Sequence, residues 1–214
     1  MIEFYVKDVL KDIPESVCVV AATKYFDSSE MKELYKEGIT HFGENRVEPF
    51  LEKIEQLEDF DITWHIIGTL QTKKVKKIIN KIDYLHSLDS IKLAQEINKR
   101  RTSPLKCFIQ VNISNEDSKH GLEKEDVVDF VNEIKEYENI ELIGFMGMAE
   151  YTKDEAVISK AFASLNILKE EVKKHCNLVL NELSIGMSND YMIALHHQAT
   201  FLRLGSVLFR KEES

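Results

Sequence analysis

The stretch Val17-Cys-Val-Val-Ala-Ala-Thr-Lys24 is a run of apolar, largely β-branched residues that ends abruptly in a lysine. Its length and composition predict a strand buried on both faces, as in a parallel sheet. The polar residues that follow lead, at Ser28-Ser29-Glu30, into a helical pattern with an acidic first turn. A lysine at the carboxyl end of such a strand lies where α/β folds place their ligands. Taken alone, the pattern still favours a lysine whose amine merely reaches water.

The rest of the chain repeats this alternation of strand and helix. Eight strand-then-helix units lie between Val17 and Leu208. Regular alternation predicts a parallel sheet, and eight units predict a closed (β/α)8 TIM barrel. The competitor, an open doubly wound sheet, usually carries a glycine-rich first turn, whereas residues 23–29 contain no glycine. We therefore predict an α/β fold, with residues 1–214 as a single barrel domain.

Local periodicity also predicts the bounds of individual elements. The predicted elements include an amphipathic helix at 2–11, a strand at 39–42 with a turn at 43–45, a basic helix at 71–81, and strands at 178–183 and 200–204.

Composition restricts the class of protein. With 43% hydrophobic residues among 214, the chain can bury a full core, and 37 acidic against 28 basic residues argue against a nucleic-acid partner. No apolar run approaches the roughly 18 residues of a membrane span, and the N-terminus lacks a secretory pattern. The cysteines at 18, 107 and 176 are far apart, which predicts reduced thiols and no metal site. We expect a cytoplasmic protein that does not associate with membranes.

Two loops at the predicted barrel mouth have the composition of a phosphate site. They are Ser184-Ile-Gly-Met-Ser188-Asn-Asp190, which opens a helix after the seventh strand, and Arg203-Leu-Gly205-Ser206 after the eighth. Barrels commonly bind phosphate in these two loops, through backbone N–H groups, hydroxyls and glycines that permit close approach. Each loop alone is more simply an ordinary turn. Together with Lys24, they indicate a phosphorylated ligand that reacts with an amine.

Pyridoxal phosphate fits this description, because a lysine forms a Schiff base with its aldehyde. Its pyridine nitrogen needs a partner, and Arg203 is the only arginine near the predicted mouth loops. An arginine there is equally typical of a salt-bridging barrel residue. A sugar-phosphate enzyme, in which Lys24 forms a Schiff base with the substrate, is a weaker alternative.

Seven stretches carry a resemblance to a known family. They are Val20-Ala-Ala-Thr-Lys24, Phe42-Gly-Glu-Asn45, Trp64-His-Ile-Ile-Gly-Thr-Leu-Gln71, Gln110-Val-Asn-Ile113, Gly144-Phe-Met-Gly-Met148, Leu183-Ser-Ile-Gly-Met-Ser-Asn-Asp190 and Arg203-Leu-Gly205. On these motifs the chain closely resembles the pyridoxal phosphate homeostasis proteins, whose fold is similar to the barrel domain of alanine racemase. The resemblance covers residues 17–209.

The resemblance implies a role for six residues. It implies that Lys24 is the Schiff-base lysine, that Asn45 lies near the cofactor ring and that Arg203 faces the pyridine nitrogen. It places Ser188, Gly205 and Ser206 at the phosphate. No residue is expected to be catalytic and none to bind a metal.

The function implied is homeostasis of the cofactor: holding it, buffering it or handing it on to pyridoxal phosphate-dependent apoenzymes, by a protein that we expect to be monomeric. The alternative is an amino-acid racemase that uses the same Schiff base. In related racemases, the resemblance implies, a catalytic tyrosine comes from a second, C-terminal domain. This sequence ends at Ser214, soon after the predicted eighth strand, so we expect one face of the cofactor to lack a base.

Other polar and sulfur-containing residues are given structural roles. His41, His65 and His86 lie in predicted strands and are interpreted as hydrogen-bonded core histidines. Met146 and Met148 are interpreted as core fillers.

Overall fold

A computed structural model describes residues 2–114 and 120–211. In chain order its strands are β1 (Ile2–Phe4), β2 (Cys18–Ala22), β3 (His41–Glu44), β4 (Thr63–Ile66), β5 (Tyr84–Leu88), β6 (Leu105–Gln110), β7 (Ile140–Met146), β8 (Glu182–Ser184), β9 (Phe201–Leu204) and β10 (Phe209–Lys211). Its α-helices are α1 (Val6–Leu10), α2 (Ser28–Lys36), α3 (Val47–Gln56), α4 (Val75–Ile78), α5 (Ile91–Arg100), α6 (Val127–Ile134), α7 (Glu155–Cys176) and α8 (Tyr191–His196).

Strands β2 to β9 form a closed parallel barrel in sequence order, and β2 closes it by pairing with β9. In that last pair, Val20 lies opposite Arg203. One helix follows each of the strands β2 to β8, as a (β/α)8 barrel requires. After β9 the chain makes a short 3-10 turn at Ser206–Leu208, against which α1 packs. The TIM-barrel prediction is therefore confirmed.

The N-terminal segment differs from the single helix predicted over residues 2–11. Ile2–Phe4 forms a strand that pairs antiparallel with Phe209–Lys211, and only Val6–Leu10 is helical. The ring of Phe26 packs against both Phe4 and Phe209, with centroids 6.3 and 4.5 Å away. Because this strand depends on a partner some 200 residues away along the chain, local periodicity does not show it.

Three other boundaries also differ from the prediction. Strand β3 begins at His41 and includes Gly43 and Glu44, which were predicted to form a turn. The basic segment is a 3-10 turn followed by the short helix α4, and β8 is limited to Glu182–Ser184. The two strand bounds follow the pairing with neighbouring strands, since Glu44 pairs with Ile66 of β4 and Glu182 pairs with Gly144 of β7.

The barrel interior is filled by side chains, as in other barrels of this size. Val20, Phe108, Met146 and Phe201 form an apolar cluster there, and His65, His86 and Ser184 are buried beside it. The main apolar core lies between the strands and the outer helices. All three cysteines are free thiols. Within the described ranges, no helix is both long and apolar enough to cross a membrane.

Candidate functional site

A cavity of about 250 Å³ opens at the carboxyl ends of the barrel strands. Its lining includes all six residues predicted from the sequence, namely Lys24, Asn45, Ser188, Arg203, Gly205 and Ser206. A larger cavity, of about 510 Å³, lies at the amino ends of the strands and contains none of them. Ligands of parallel barrels bind at the carboxyl ends, so the smaller cavity is the candidate site.

Lys24 stands two residues beyond the end of β2, and its side chain is exposed. Its Nζ atom lies 4.5 Å from the ring centroid of Tyr25. The preceding residue, Thr23, is anchored because its backbone N–H donates to the Gly43 carbonyl over 3.0 Å. The amine is therefore accessible, while its attachment to the barrel is rigid.

A buried ion pair, which the sequence analysis missed, supports this attachment. Lys53 of α3 donates from Nζ to Glu44 Oε1 over 2.5 Å and to the Thr23 carbonyl over 2.7 Å. Thr23 Oγ1 also donates to Glu44. The side chains of Lys53 and Glu44 are only 11% and 1% exposed. The sequence signal was missed because Glu44 was predicted to lie in a turn, where a carboxylate needs no partner, whereas at the buried end of β3 it requires one.

The loops after β8 and β9 are joined through Ser188. Its Oγ accepts hydrogen bonds from the backbone N–H groups of Gly205 and Val207, over 3.0 and 3.2 Å. With both lone pairs occupied, the hydroxyl hydrogen is available to a ligand. Asp190, also missed, stabilises the first loop by accepting from Met187 N over 2.6 Å.

Glycines shape these two loops in different ways. Gly186 has a φ of +87°, a left-handed conformation that glycine adopts without strain. At Gly205, a Cβ atom would lie 3.7 Å from its nearest neighbours, Ala22 Cβ and O, which is ordinary contact distance. Packing of the protein therefore does not require glycine at 205, and the absent side chain leaves space in the cavity.

Arg203 is 5% exposed and lies in the barrel wall at the base of the cavity. Its Nη1 donates to Ser184 O and to Ser184 Oγ, both over 2.6 Å, and its Nη2 donates to Gly147 O over 3.1 Å. Burial lowers its pKa to about 10, and the charge of Asp190 opposes that shift. The guanidinium is therefore still charged at neutral pH, and its remaining N–H groups are available to a ligand.

The structural roles predicted for the three histidines agree with the structure, but the role predicted for one of the two methionines does not. His41, His65 and His86 are hydrogen-bonded to one another inside the barrel, as predicted. Met146 is buried, but Met148 is 40% exposed and lines the cavity, so its interpretation as a core residue was wrong. Strand β7 ends at Met146, and Met148 therefore belongs to the loop at the mouth.

Taken together, the lining offers three different chemistries within one cavity. An accessible amine can react with a carbonyl, a buried cation can face an aromatic nitrogen, and hydroxyl and amide donors can hold an anion. In the part of the chain that the structure describes, no group of three or more His, Cys, Asp or Glu residues could hold a metal ion.

Comparison with known sequences gives consistent matches over most of the chain. The profile of the family described as "Alanine racemase, N-terminal domain" matches residues 8–212. The pyridoxal phosphate homeostasis protein of Aquifex aeolicus is 36% identical over 194 residues, which cover 89% of this chain and 85% of the relative. The protein of that name in Pseudomonas aeruginosa is 35% identical over 92% of this chain and 85% of its own.

Two kinds of solved structure share the fold. PipY of Synechococcus elongatus PCC7942, in a structure with PLP bound, superimposes with a TM-score of 0.88 at 29% identity, over 95% of this chain and 97% of PipY. Alanine racemase of Clostridium difficile 630 superimposes with a TM-score of 0.80 at 15% identity, over 97% of this chain and 56% of the racemase. The second likeness shows the barrel fold alone.

Proposed function

Because the chain belongs to the family of pyridoxal phosphate homeostasis proteins, we propose that it binds pyridoxal phosphate and maintains its supply. The observation that carries this proposal is the joint presence of Lys24, Arg203 and Ser188 around one cavity at the carboxyl ends of the strands. The structure of the relative PipY with PLP bound supports the choice of ligand. When bound, the cofactor supplies an aldehyde that condenses reversibly with a primary amine, with loss of water.

We assign the covalent attachment to Lys24. It is the only lysine in the lining of the cavity among the described residues, and its side chain is exposed. Lys53, the nearest lysine in the supporting contacts, is 11% exposed and has its amine engaged by Glu44 and the Thr23 carbonyl. A covalent Schiff base requires an amine that can approach the aldehyde, which Lys24 alone satisfies here.

The phosphate is assigned to the loops after β8 and β9. Ser188 contributes a hydroxyl whose lone pairs are already occupied by Gly205 and Val207 N–H groups, so that it donates outward. Ser206 adds a second, exposed hydroxyl, and Gly205 leaves the space that the phosphate would enter. Asn45, exposed at the end of β3, completes the wall beside the ring.

Arg203 is assigned to the pyridine nitrogen. An arginine donates hydrogen bonds and retains its proton, so a nitrogen that faces it accepts a hydrogen bond and stays unprotonated. An unprotonated ring is a weak electron acceptor, which is compatible with holding the cofactor but does not by itself distinguish a carrier from a racemase. We propose a carrier or buffer in preference to a racemase because the relatives matched over most of the chain are named pyridoxal phosphate homeostasis proteins.

The cellular role follows from reversible attachment at an open site. We propose that the protein exchanges the cofactor with pyridoxal phosphate-dependent apoenzymes in the cytoplasm, as a monomeric single-domain barrel over residues 1–214. Size-exclusion chromatography with light scattering measures the oligomeric state, and transfer from loaded protein to an apoenzyme measures the exchange. A stable dimer would contradict the monomeric state, and an apoenzyme that gains no activity would contradict the exchange.

Absorbance of the purified protein, followed by reduction and peptide mapping, tests the proposal directly. Protein incubated with pyridoxal phosphate and desalted should retain the absorbance of the cofactor. Borohydride should then fix one cofactor mass on the peptide that contains Lys24. Lys24→Ala should lose both signals, and the matched control Lys73→Ala, outside the cavity lining, should keep them. Labelling confined to other lysines would refute the assignment, and absence of retained cofactor in the unmodified protein would refute the function.

A further inference from the structure

A row of hydrogen-bonded side chains crosses the barrel interior and ends on Arg203. His41 Nδ1 lies 2.9 Å from His65 Nε2, and His65 Nδ1 lies 2.9 Å from His86 Nε2. His86 Nδ1 is 2.8 Å from Ser184 Oγ, which is 2.6 Å from Arg203 Nη1. The row begins at the first residue of β3, near the amino end of the barrel, and reaches the base of the cavity.

Arginine determines the direction of these hydrogen bonds. A guanidinium only donates, so Ser184 Oγ accepts from Arg203 Nη1. Ser184 is fully buried, and among the described residues His86 Nδ1 is the only acceptor near its hydroxyl hydrogen. The hydroxyl therefore donates to His86 Nδ1, which leaves the proton of that ring on Nε2. A neutral imidazole donates from one nitrogen and accepts at the other.

The same reasoning assigns the donor and acceptor nitrogens of the next two rings. His86 Nε2–H donates to His65 Nδ1, and His65 Nε2–H donates to His41 Nδ1. All three histidines thus share one tautomer, and every donor points away from the cavity. Packing holds the ring planes in place. His65 stacks on Tyr84 with ring centroids 4.4 Å apart and planes 7° apart. The ring centroids of His86 and Phe108 are 4.5 Å apart.

These rings stay neutral for physical reasons that the structure provides. His65 and His86 are fully buried, and burial holds the pKa of each ring well below its usual range. Repulsion between charges lowers the pKa further, because a proton on His65 would be repelled by one on His41, and a proton on His86 would be repelled by one on His65 and by the Arg203 guanidinium. Burial also lowers the pKa of half-buried His41, against the raising effect of Asp83. The barrel therefore contains polar groups beneath Arg203 without a second positive charge.

We propose that Ser184, His86, His65 and His41 are positioning residues for Arg203, forming a neutral, one-directional chain that holds the guanidinium beneath the bound cofactor. This role rests on the proposed function. Ser184 supplies two of the three acceptors of Arg203, its carbonyl and its hydroxyl. Because hydrogen bonds in a row polarise one another, the histidines strengthen the hydroxyl as an acceptor for the arginine.

Nitrogen NMR of the histidine rings tests the direction of the chain in cofactor-free protein. Selective ¹⁵N labelling distinguishes protonated from unprotonated ring nitrogens, and single His→Gln variants assign the signals. We expect His41, His65 and His86 to be neutral and protonated on Nε2 at pH 7. A ring protonated on Nδ1, or a charged ring among the three, would overturn the proposal.

A matched pair of serine variants tests the positioning. Ser184→Ala removes the hydroxyl that receives Arg203, and Ser87→Ala removes an equally buried barrel serine that instead donates to the Gly68 carbonyl. In Ser184→Ala we expect the Arg203 Nε–H signal of the cofactor-free protein to shift. We also expect the absorbance maximum of the bound cofactor to move and its affinity to fall about tenfold, the loss of about one hydrogen bond. Ser87→Ala should leave all three readouts unchanged.

Changes at His86 separate positioning from packing. His86→Gln can still accept from Ser184 and donate to His65, and it should restore a spectrum close to that of the unmodified protein. His86→Leu fills similar space without either hydrogen bond, and it should reproduce the effects of Ser184→Ala. Equal spectra for Ser184→Ala and Ser87→Ala would refute the positioning role. If the unmodified protein itself retained no cofactor, the proposed function would fail, while the tautomers would still decide the direction of the chain.

Discussion

Lys53 Nζ donates a hydrogen bond to the backbone carbonyl of Thr23, 2.7 Å away, and so fixes the residue that directly precedes Lys24. The same amine makes the ion pair with Glu44 inside the protein. A charged residue in the last turn of α3 thus supports the residue proposed to carry the cofactor. The reactive amine can remain exposed because its buried neighbours hold the backbone in place.

Replacing Lys53 by methionine is expected to destabilise the fold strongly. The substitution keeps most of the length of the side chain but leaves the Glu44 carboxylate, 1% exposed, without its cationic partner. Breaking a buried pair on one side costs about 3–5 kcal/mol. Urea unfolding should show this loss, and adding Glu44→Gln should recover part of it because the unpaired charge is removed. A loss below about 1 kcal/mol would contradict the account of the pair.

Lys24→Ala is expected to abolish retention of the cofactor without affecting the fold. The Lys24 side chain is exposed and forms no part of the apolar core, so its removal should change the free energy of unfolding by no more than about 0.5 kcal/mol. Urea unfolding and borohydride labelling measure the two effects on the same preparation. Loss of stability comparable to that of the Lys53 variant would show that Lys24 is a structural residue.

Gly205→Val is expected to affect binding more than stability. The first added carbon would lie at ordinary contact distance, 3.7 Å from Ala22, and the two methyl groups would extend the side chain into the cavity lining. We expect affinity for pyridoxal phosphate to fall by at least about tenfold and the midpoint of urea unfolding to change little. Normal binding in this variant would place the phosphate elsewhere.

Acid should destabilise the protein through its interior histidines. Burial lowers the folded-state pKa of His41, His65 and His86 below the usual value of 6.5, so below that pH the unfolded chain binds more protons than the folded one. The free energy of unfolding should therefore fall as the pH drops from about 6.5, by up to about 1.4 kcal/mol per pH unit for each histidine, until its folded pKa is reached.

Urea unfolding between pH 7.5 and 5 measures this slope. His86→Gln removes one buried titrating group and should flatten it. A free energy of unfolding that stays constant across this range would mean that the interior histidines bind protons equally well in the folded and the unfolded chain.

Amino-acid turnover by the loaded protein is expected to be negligible. Racemisation needs an acid or base on each face of the reacting carbon. Among the described residues that line the cavity, the titratable ones are Lys24, Tyr25 and Arg203. Lys24 and Tyr25 are chain neighbours at the end of one strand, and Arg203 retains its proton. Loss of α-deuterium from L-alanine measures turnover, and rates of about one per second or more would establish the racemase alternative.

Much of the site could be predicted from the sequence because its signals are local. The β-branched run that ends in Lys24 predicts a buried strand, and the polar break after it places the amine at the strand end. The loops that contain Ser188 and Gly205 carry their own turn chemistry. The structure brings all of these residues to one cavity, because the carboxyl ends of parallel strands meet at one end of a barrel.

The sequence by itself determined the alternation of strands and helices, and hence the barrel, because backbone propensity and apolar periodicity act over a few residues. Only the tertiary structure decided the pairing of Ile2–Phe4 with Phe209–Lys211, the ion pair of Glu44 with Lys53 and the orientation of His86 toward Ser184. These contacts join positions that approach one another only when the barrel closes. Their energies depend on burial and on the partner that closure provides, and neither quantity exists along the unfolded chain.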